Sequence, residues 1–425
     1  MKKTLTIMLL ALATTMATVQ LTSCKDDELG PTIFDTKEYP LDKNSFTFPL
    51  DTFVKVNFLE PYNMRFIYRM EYVGSDMDKN LTPAAYDKSQ QLAVLTKYLW
   101  YDVYRKVASE HDIFLKRYSP RIIHVIGSRN LNTSSGTETL GVTEGGTKIS
   151  LFRTNLLDPN DIDNLNEFFF ETMHHEFGHI LDQTKLHPTT FNLLSNGRYN
   201  AAGWNEVPDS VAASQGFVSP YASASYTEDW VETLARYVTR DSIAWENMLH
   251  TAEVEWEEID LTDKNGDEEV TPSDYNYMLR GKIDIDTIGY FKNDESGKGE
   301  HKVFRRVCER DGNDHVILGD DGKPQWMANI TGARQIIEDK LRLVREYMQT
   351  QYGVDIDKLR YEIQAKQFLK DEQGQFITED YVSSWTLRKE KRLVNAIMFI
   401  DPETGKTKLG ELLEQIEAYK ALQTK

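Results

Sequence analysis

The chain has 425 residues, 40% of them hydrophobic and 27% charged, a composition that excludes a disordered or fibrous protein. Its formal net charge of −18 argues against a surface built to hold nucleic acid or anionic lipid. With only two cysteines, Cys24 and Cys308, stability has to come from an ordinary apolar core rather than a disulfide framework.

The first element is a targeting segment. "MKKTLTIMLLALATTMATVQLTSC" has a basic start at Lys2 and Lys3, an apolar run, then small residues ending at Cys24, which is the pattern of a secretion signal. The run is short and broken by threonines, so it does not read as a membrane span. Residues 1–23 are predicted to be a signal peptide. The ending "LTSC" resembles the lipobox of bacterial lipoproteins, which implies a lipid on Cys24. The "KDDE" that follows resembles the surface-export signal of Bacteroidota lipoproteins. Together these imply an outer membrane lipoprotein exposed at the cell surface, with the lipid as its only anchor. Residues 24–45 are polar and read as a tether.

From about 46 to 73 the text is rich in β-branched and aromatic residues and predicts strand. Residues 84–108 carry Leu92, Leu95, Leu99 and Val103 at helical spacing. "RIIHVIGS" (121–128) and "TKISLFRT" (147–154) predict short strands, and the second is expected to be an edge strand able to pair with an extended peptide. His124, in the first of these, reads as a core histidine. Asn164 with Glu167 predicts a capping box and a helix from there to about Gln183, closed by Pro188. Residues 191–222 read as loop, and 226–241 as helix. The stretches 257–274 and 292–325 look like surface insertions. Helices return near the end. One has Ile337, Leu341, Val344 and Met348 on one face and Gly353 as its cap, and another carries Leu409, Leu412, Leu413 and Ile416.

The chemistry sits in "HHEFGH", residues 174–179. On a helix, residues four apart lie one above the other, so His175 and His179 can grip one metal ion. Glu176 is rotated by about 100° and stands beside the open coordination position, where it can accept a proton from water. His174 is turned off that face and reads as a packing residue. Zinc needs a third protein ligand. The metzincin pattern, Gly at 182 and His at 185, fails, because Asp182 and Lys185 stand there. Asp182 lies on the same helix and cannot easily swing back to the metal. His187 falls two residues late. Glu228, in "EDWVE", lies on a second helix and shares a face with Glu232, so one can bind metal while the other orients a ligand histidine.

"HEFGH" followed about fifty residues later by "YASASYTEDWVETLARY" resembles the catalytic domain of anthrax lethal factor and related gluzincins. The resemblance covers roughly residues 165–240. It implies His175, His179 and Glu228 as zinc ligands, Glu176 as general base, and Tyr221 as the hydroxyl that stabilises the oxyanion, with Tyr226 as the alternative tyrosine. The whole mature chain resembles the Bacteroidota zinc metallohydrolase lipoproteins associated with substrate import. That implies a peptide or protein substrate, and as partners a TonB-dependent transporter with its substrate-binding lipoprotein.

A second metal site is suggested by "DKNGDEEVTPSD" (263–274), which resembles an EF-hand calcium loop with Asp263, Asn265, Asp267 and Asp274 as ligands. Glu268 stands where the sharp turn of that loop wants glycine. The expected architecture is α+β: a zincin-type catalytic domain over 46–255, with a small mixed sheet and an active-site helix, then a mainly helical region over 256–425. The expected function is a surface-anchored zinc metallopeptidase. The rival is an accessory substrate-binding lipoprotein that keeps the fold with a degenerate or narrow site, and a third reading is a hydrolase of some other amide bond.

Overall fold

The computed structural model describes residues 41–70, 79–132, 137–259, 287–293, 299–313, 315–382 and 389–423. The signal peptide, Cys24, most of the tether and the candidate calcium loop 263–274 lie outside the described residues.

The stretch read as strand is largely helix. Phe48–Val54 (α1), a wider π turn at Lys55–Leu59 and Glu60–Tyr62 run into one another before Asn63 takes a left-handed φ of 53°. Pro49 sits in the first turn, where its missing N–H costs nothing, and Asp51 suits the positive end of the helix. Phe48, Leu50, Phe53 and Phe58 are all buried, so packing has overridden their strand preference. Among the described residues of this stretch only Arg65–Ile67 (β1) forms a strand.

The main sheet adds Ile122–Val125 (β2), Gly141–Glu144 (β3) and Lys148–Leu151 (β4), in the order β1-β2-β4-β3. β1, β2 and β4 are parallel, while β3 is antiparallel to β4, with Thr143 opposite Ile149. This corrects the expected edge strand. β4 is an interior strand with Ile149, Ser150 and Leu151 buried, and the edge belongs to β3. The cause is the turn at Gly145 and Gly146, both at positive φ (57° and 64°), which folds β3 back over the side of β4 that would otherwise be open.

Seven further helices matter for the site: Tyr86–Thr96 (α2), Asp102–Val107 (α3), Thr172–Thr184 (α4), Tyr226–Thr239 (α5), Ala333–Tyr352 (α6), Ile356–Gln367 (α7) and Lys408–Glu417 (α8). α4 continues from Ile162–Leu165 through a π turn at Asn166–Glu171. Its cap is Asp161, not the expected Asn164: the Asp161 carboxylate accepts the Asn164 N–H at 3.0 Å. The region read as loop after α4 also holds short helical turns at Thr190–Leu194, Trp204–Glu206 and Asp209–Ser214. α6 buries Ile337, Leu341, Val344 and Met348 and ends on Gly353 at φ 63°, as its sequence predicts.

Beyond α5 the described chain is not purely helical. Trp256–Ile259, Thr287–Asn293 and Gly299–Arg306 form a three-stranded sheet. Two small three-sided prisms follow, each closed by a ring of backbone hydrogen bonds. In one, Glu309 donates to Gln325, Gln325 to Ile317 and Ile317 to Glu309; in the other, Leu369 donates to Val394, Val394 to Ile377 and Ile377 to Leu369, all at 2.8–3.0 Å. Among the described residues a large apolar core runs through the helices and the main sheet, beside a small separate cluster of Val211, Trp256 and Phe304. Phe53 near the start, Phe169 and Phe177 around α4, Val231 of α5, Val344 of α6 and Ile416 of α8 all belong to the large core. Among the described residues no helix is long and apolar enough to cross a membrane.

Candidate metal centre

α4 lies between β3 on one side and α5 on the other. Gly178 is what lets α5 approach: a Cβ there would stand 2.9 Å from Val231 Cγ1. At that crossing His175, His179 and Glu228 come together. The Nε2 atoms of the two histidines are 3.2 Å apart, and Glu228 Oε2 lies 3.1 Å from His175 Nε2 and 3.3 Å from His179 Nε2. Three ligand atoms in a near-equilateral triangle are one face of a tetrahedron. Zinc bonds of about 2.0–2.1 Å make tetrahedral edges of about 3.3–3.4 Å, so the triangle is the size that zinc requires. Among the described residues this is the only cluster of three or more such side chains.

Charge and hydrogen bonding fit a cation as well. Glu232 Oε1 accepts from His175 Nδ1 at 2.7 Å, so it is Nε2 that the ring would offer to a metal. Glu232 is itself held, its Oε2 accepting from the Ser219 hydroxyl at 2.5 Å and lying 3.4 Å from Arg236 Nε. Burial works against a charge on His175, but hydrogen bonds to Glu228 and Glu232 outweigh it and raise its pKa to about 10. Burial likewise opposes ionisation of Glu228, yet His175 and His179 hold its carboxyl well below the usual carboxylate range. The cluster takes up positive charge where a divalent ion would sit.

Glu176 faces β3. Its Oε2 accepts a hydrogen bond from the Thr143 hydroxyl at 2.5 Å. A Cβ on Gly141 would meet Thr172 Cγ2 at 2.3 Å and Glu176 Oε1 at 3.3 Å, so the edge strand rests directly on α4. Tyr221 opens a short 3-10 turn, Tyr221–Ala224, with its ring 5.8 Å from that of His175 and edge-on to Trp204 at 4.8 Å. It keeps 37% of its surface exposed. Burial of the rest, then the nearby Glu228, Glu232 and Glu176, push the hydroxyl pKa up, so it stays protonated and can donate. Tyr226 instead stands 6.1 Å from the His187 ring.

The other candidates are engaged elsewhere. His187 is bonded to Asp182 Oδ1 and Asn192 Oδ1, both at 2.9 Å, and stacks on Trp230, which accounts for His187 and Asp182 together. His174 is fully buried against Tyr104, whose hydroxyl lies 2.9 Å from its Nδ1, and burial lowers its pKa to about 3. Sequence reasoning missed Thr143, Ser219 and Arg236. Arg236 was findable, four residues after Glu232 on the same helix. Thr143 and Ser219 are common residue types in loops and strands and carried no signal.

A protein-family model described as "Putative zinc-binding metallo-peptidase" matches residues 44–357, well over half of the 425-residue chain. Among solved structures, a crystal structure of a protein described in the same words, from Bacteroides caccae, is similar to this chain. The two are 29% identical, the match covers 75% of this chain and 92% of that one, and the TM-score is 0.50. No curated protein matches.

Proposed function

The chain belongs to this zinc-binding metallo-peptidase family, and from that premise we propose that it is a gluzincin-type peptidase whose ligands are His175, His179 and Glu228. The observation that carries this reading is the triangle of ligand atoms, with edges of 3.1, 3.2 and 3.3 Å contributed by two helices. Zinc held there supplies Lewis acidity and makes water acidic near neutral pH. Glu176 accepts the proton of the attacking water and passes it to the amine that leaves as the C–N bond breaks. Tyr221, which keeps its proton, donates to the carbonyl oxygen as negative charge develops on it. Glu232 holds His175 in one tautomer throughout. The edge strand β3 offers its free side to an extended substrate, so main-chain hydrogen bonds hold a peptide across Glu176.

The anchoring belongs to the same proposal. The signal peptide and Cys24 in "LTSC" support an outer membrane lipoprotein displayed at the cell surface, acting beside a TonB-dependent transporter and its substrate-binding lipoprotein.

The test is bound zinc per chain in protein made without residues 1–23, as wild type and as Glu228→Ala, followed by digestion of a peptide library with Glu176→Gln as control. One zinc in the wild type, lost in Glu228→Ala, is expected, together with cleavage by wild type alone. Zinc held equally by both proteins sinks the ligand assignment. A library left uncut by zinc-loaded wild type moves the protein to the substrate-binding reading.

A further inference from the structure

We propose that Lys340, on helix α6, is a positioning residue for this site: one buried ammonium fixes both the helix that carries Glu228 and the segment that ends in Tyr221. The proposal rests on the roles given to those two residues above. Lys340 Nζ lies 2.6 Å from Asp229 Oδ2, and both side chains are 0% exposed. The same ammonium donates to the Gly216 carbonyl at 2.7 Å and stands 4.2 Å from the centre of the Phe217 ring. Asp229 Oδ2 also accepts from the Tyr199 hydroxyl at 3.0 Å.

Each contact has a directional consequence. Asp229 follows Glu228 in α5, so their side chains leave the helix about 100° apart. Holding Asp229 towards α6 turns Glu228 towards α4, where it meets both histidines. Gly216, at φ 88°, opens the segment "GFVSPY" that ends at Tyr221. It rests on α6 so closely that a Cβ would stand 2.9 Å from Ile336 Cγ2. Ser219, which holds Glu232, lies in the same segment. Lys340 therefore ties α5, the 216–221 segment and α6 at one point.

Stability alone is a poor reason for this pair. Removing both charges from water costs much of what their attraction returns, and an apolar pair of similar volume commonly holds a core as well or better. Asp229 Oδ1 is moreover buried without a hydrogen-bond partner among the described residues. What the ion pair adds is direction, because an ammonium has to satisfy particular oxygens where a methyl group does not.

The discriminating variant is the double substitution Lys340→Met with Asp229→Leu, which leaves no stranded charge, compared with wild type at a temperature where both are folded. Three readouts are taken: thermal midpoint, zinc affinity by chelator competition, and amide hydrogen exchange of the metal-free protein. The expected result is a midpoint near that of wild type with zinc bound at least about tenfold more weakly. Exchange over 216–224 and the first turn of α5 is expected to be at least about tenfold faster. Zinc affinity and exchange that return to wild-type values along with the midpoint overturn the proposal. If wild type binds no zinc, the functional reading fails, yet the exchange comparison still decides whether Lys340 orders these segments. Should that double variant not fold, Lys340→Met with Asp229→Asn carries the same comparison, since it keeps the shape at 229 and again leaves no stranded charge.

Discussion

Gly178 decides how near Glu228 can come to the histidines. It lies within the "HEFGH" motif, one residue before His179, and faces Val231 of α5, three residues past Glu228. Alanine there puts a Cβ 2.9 Å from Val231 Cγ1 and 3.1 Å from Val231 Cβ, and a β-branched side chain on a helix has no free rotamer into which to retreat. The helices must part, and the ligand triangle opens with them. Gly178→Ala is expected to cost about 1–3 kcal/mol of stability through overpacking, despite alanine's better helix propensity. It is also expected to weaken zinc binding; a chelator titration giving wild-type affinity would show that the two helices can part here without opening the ligand triangle. At this scale the sequence was most legible where the chemistry is local. His175, Glu176 and His179 are one turn of helix, and Glu228 with Glu232 is another, so spacing alone put each set on one face. Ser219 and Thr143 reach the site through tertiary folding, 13 residues from Glu232 and 33 from Glu176, and nothing local marks them.

At the scale of elements, periodicity was a better guide than propensity. α2, α5, α6 and α8 were legible because their apolar residues recur at helical spacing over many turns. The aromatic stretch from Phe46 has a strand-like composition yet forms helix, because β-branched and aromatic residues serve a buried helix as readily as a strand; Pro49 in the first turn is the local signal for helix. The sequence predicts β4 as a strand but puts it at the edge, whereas it lies inside the sheet. Its "TEGGTK" approach is a hairpin signal, and the hairpin puts β3 outside. The difference matters because Thr143, on β3, bonds the Glu176 carboxylate. A hydrogen bond to a charged group is worth about 1.5–3 kcal/mol, and here it holds the carboxylate in one orientation. Thr143→Val is expected to lower kcat about tenfold with KM and zinc content little changed, and Thr143→Ser to restore most of it. Steady-state kinetics of the two variants on a cleaved library peptide give the answer, and equal rates for valine and serine would remove the hydroxyl from the argument.

At the scale of the whole molecule, the packing joins helices from both sides of residue 255. α6 and α7 share their core with α4 and α5, and they also bond to backbone carbonyls at the C-terminal ends of those two helices. The Tyr352 hydroxyl donates to the Leu181 carbonyl at 2.6 Å near the end of α4, and Gln364 Nε2 and Arg360 donate to the Arg240 carbonyl after α5. This was not legible beforehand, because a helix's apolar face does not say which neighbour covers it. Lys366 of α7 shows what such docking costs. Its Nζ donates to the Tyr98 carbonyl at 2.7 Å and stands 3.9 Å from the Tyr98 ring centre. Burial, only partly offset by Asp102, lowers its pKa from 10.5 to about 8. The sign follows from proton binding. Between these two values the unfolded chain holds the proton more tightly than the folded one, so stability rises with pH across that window. Below pH 8 the penalty is present in full, and above 10.5 it is gone. Lys366→Met removes the titration. Relative to wild type, the variant is therefore expected to gain most in urea midpoint near pH 7 and to lose that advantage by about pH 10, whatever constant cost the lost Tyr98 contact adds. A difference between the two proteins that stays the same at both pH values would mean that the folded protein leaves this ammonium in water, and that α7 docks on the N-terminal helices without desolvating it.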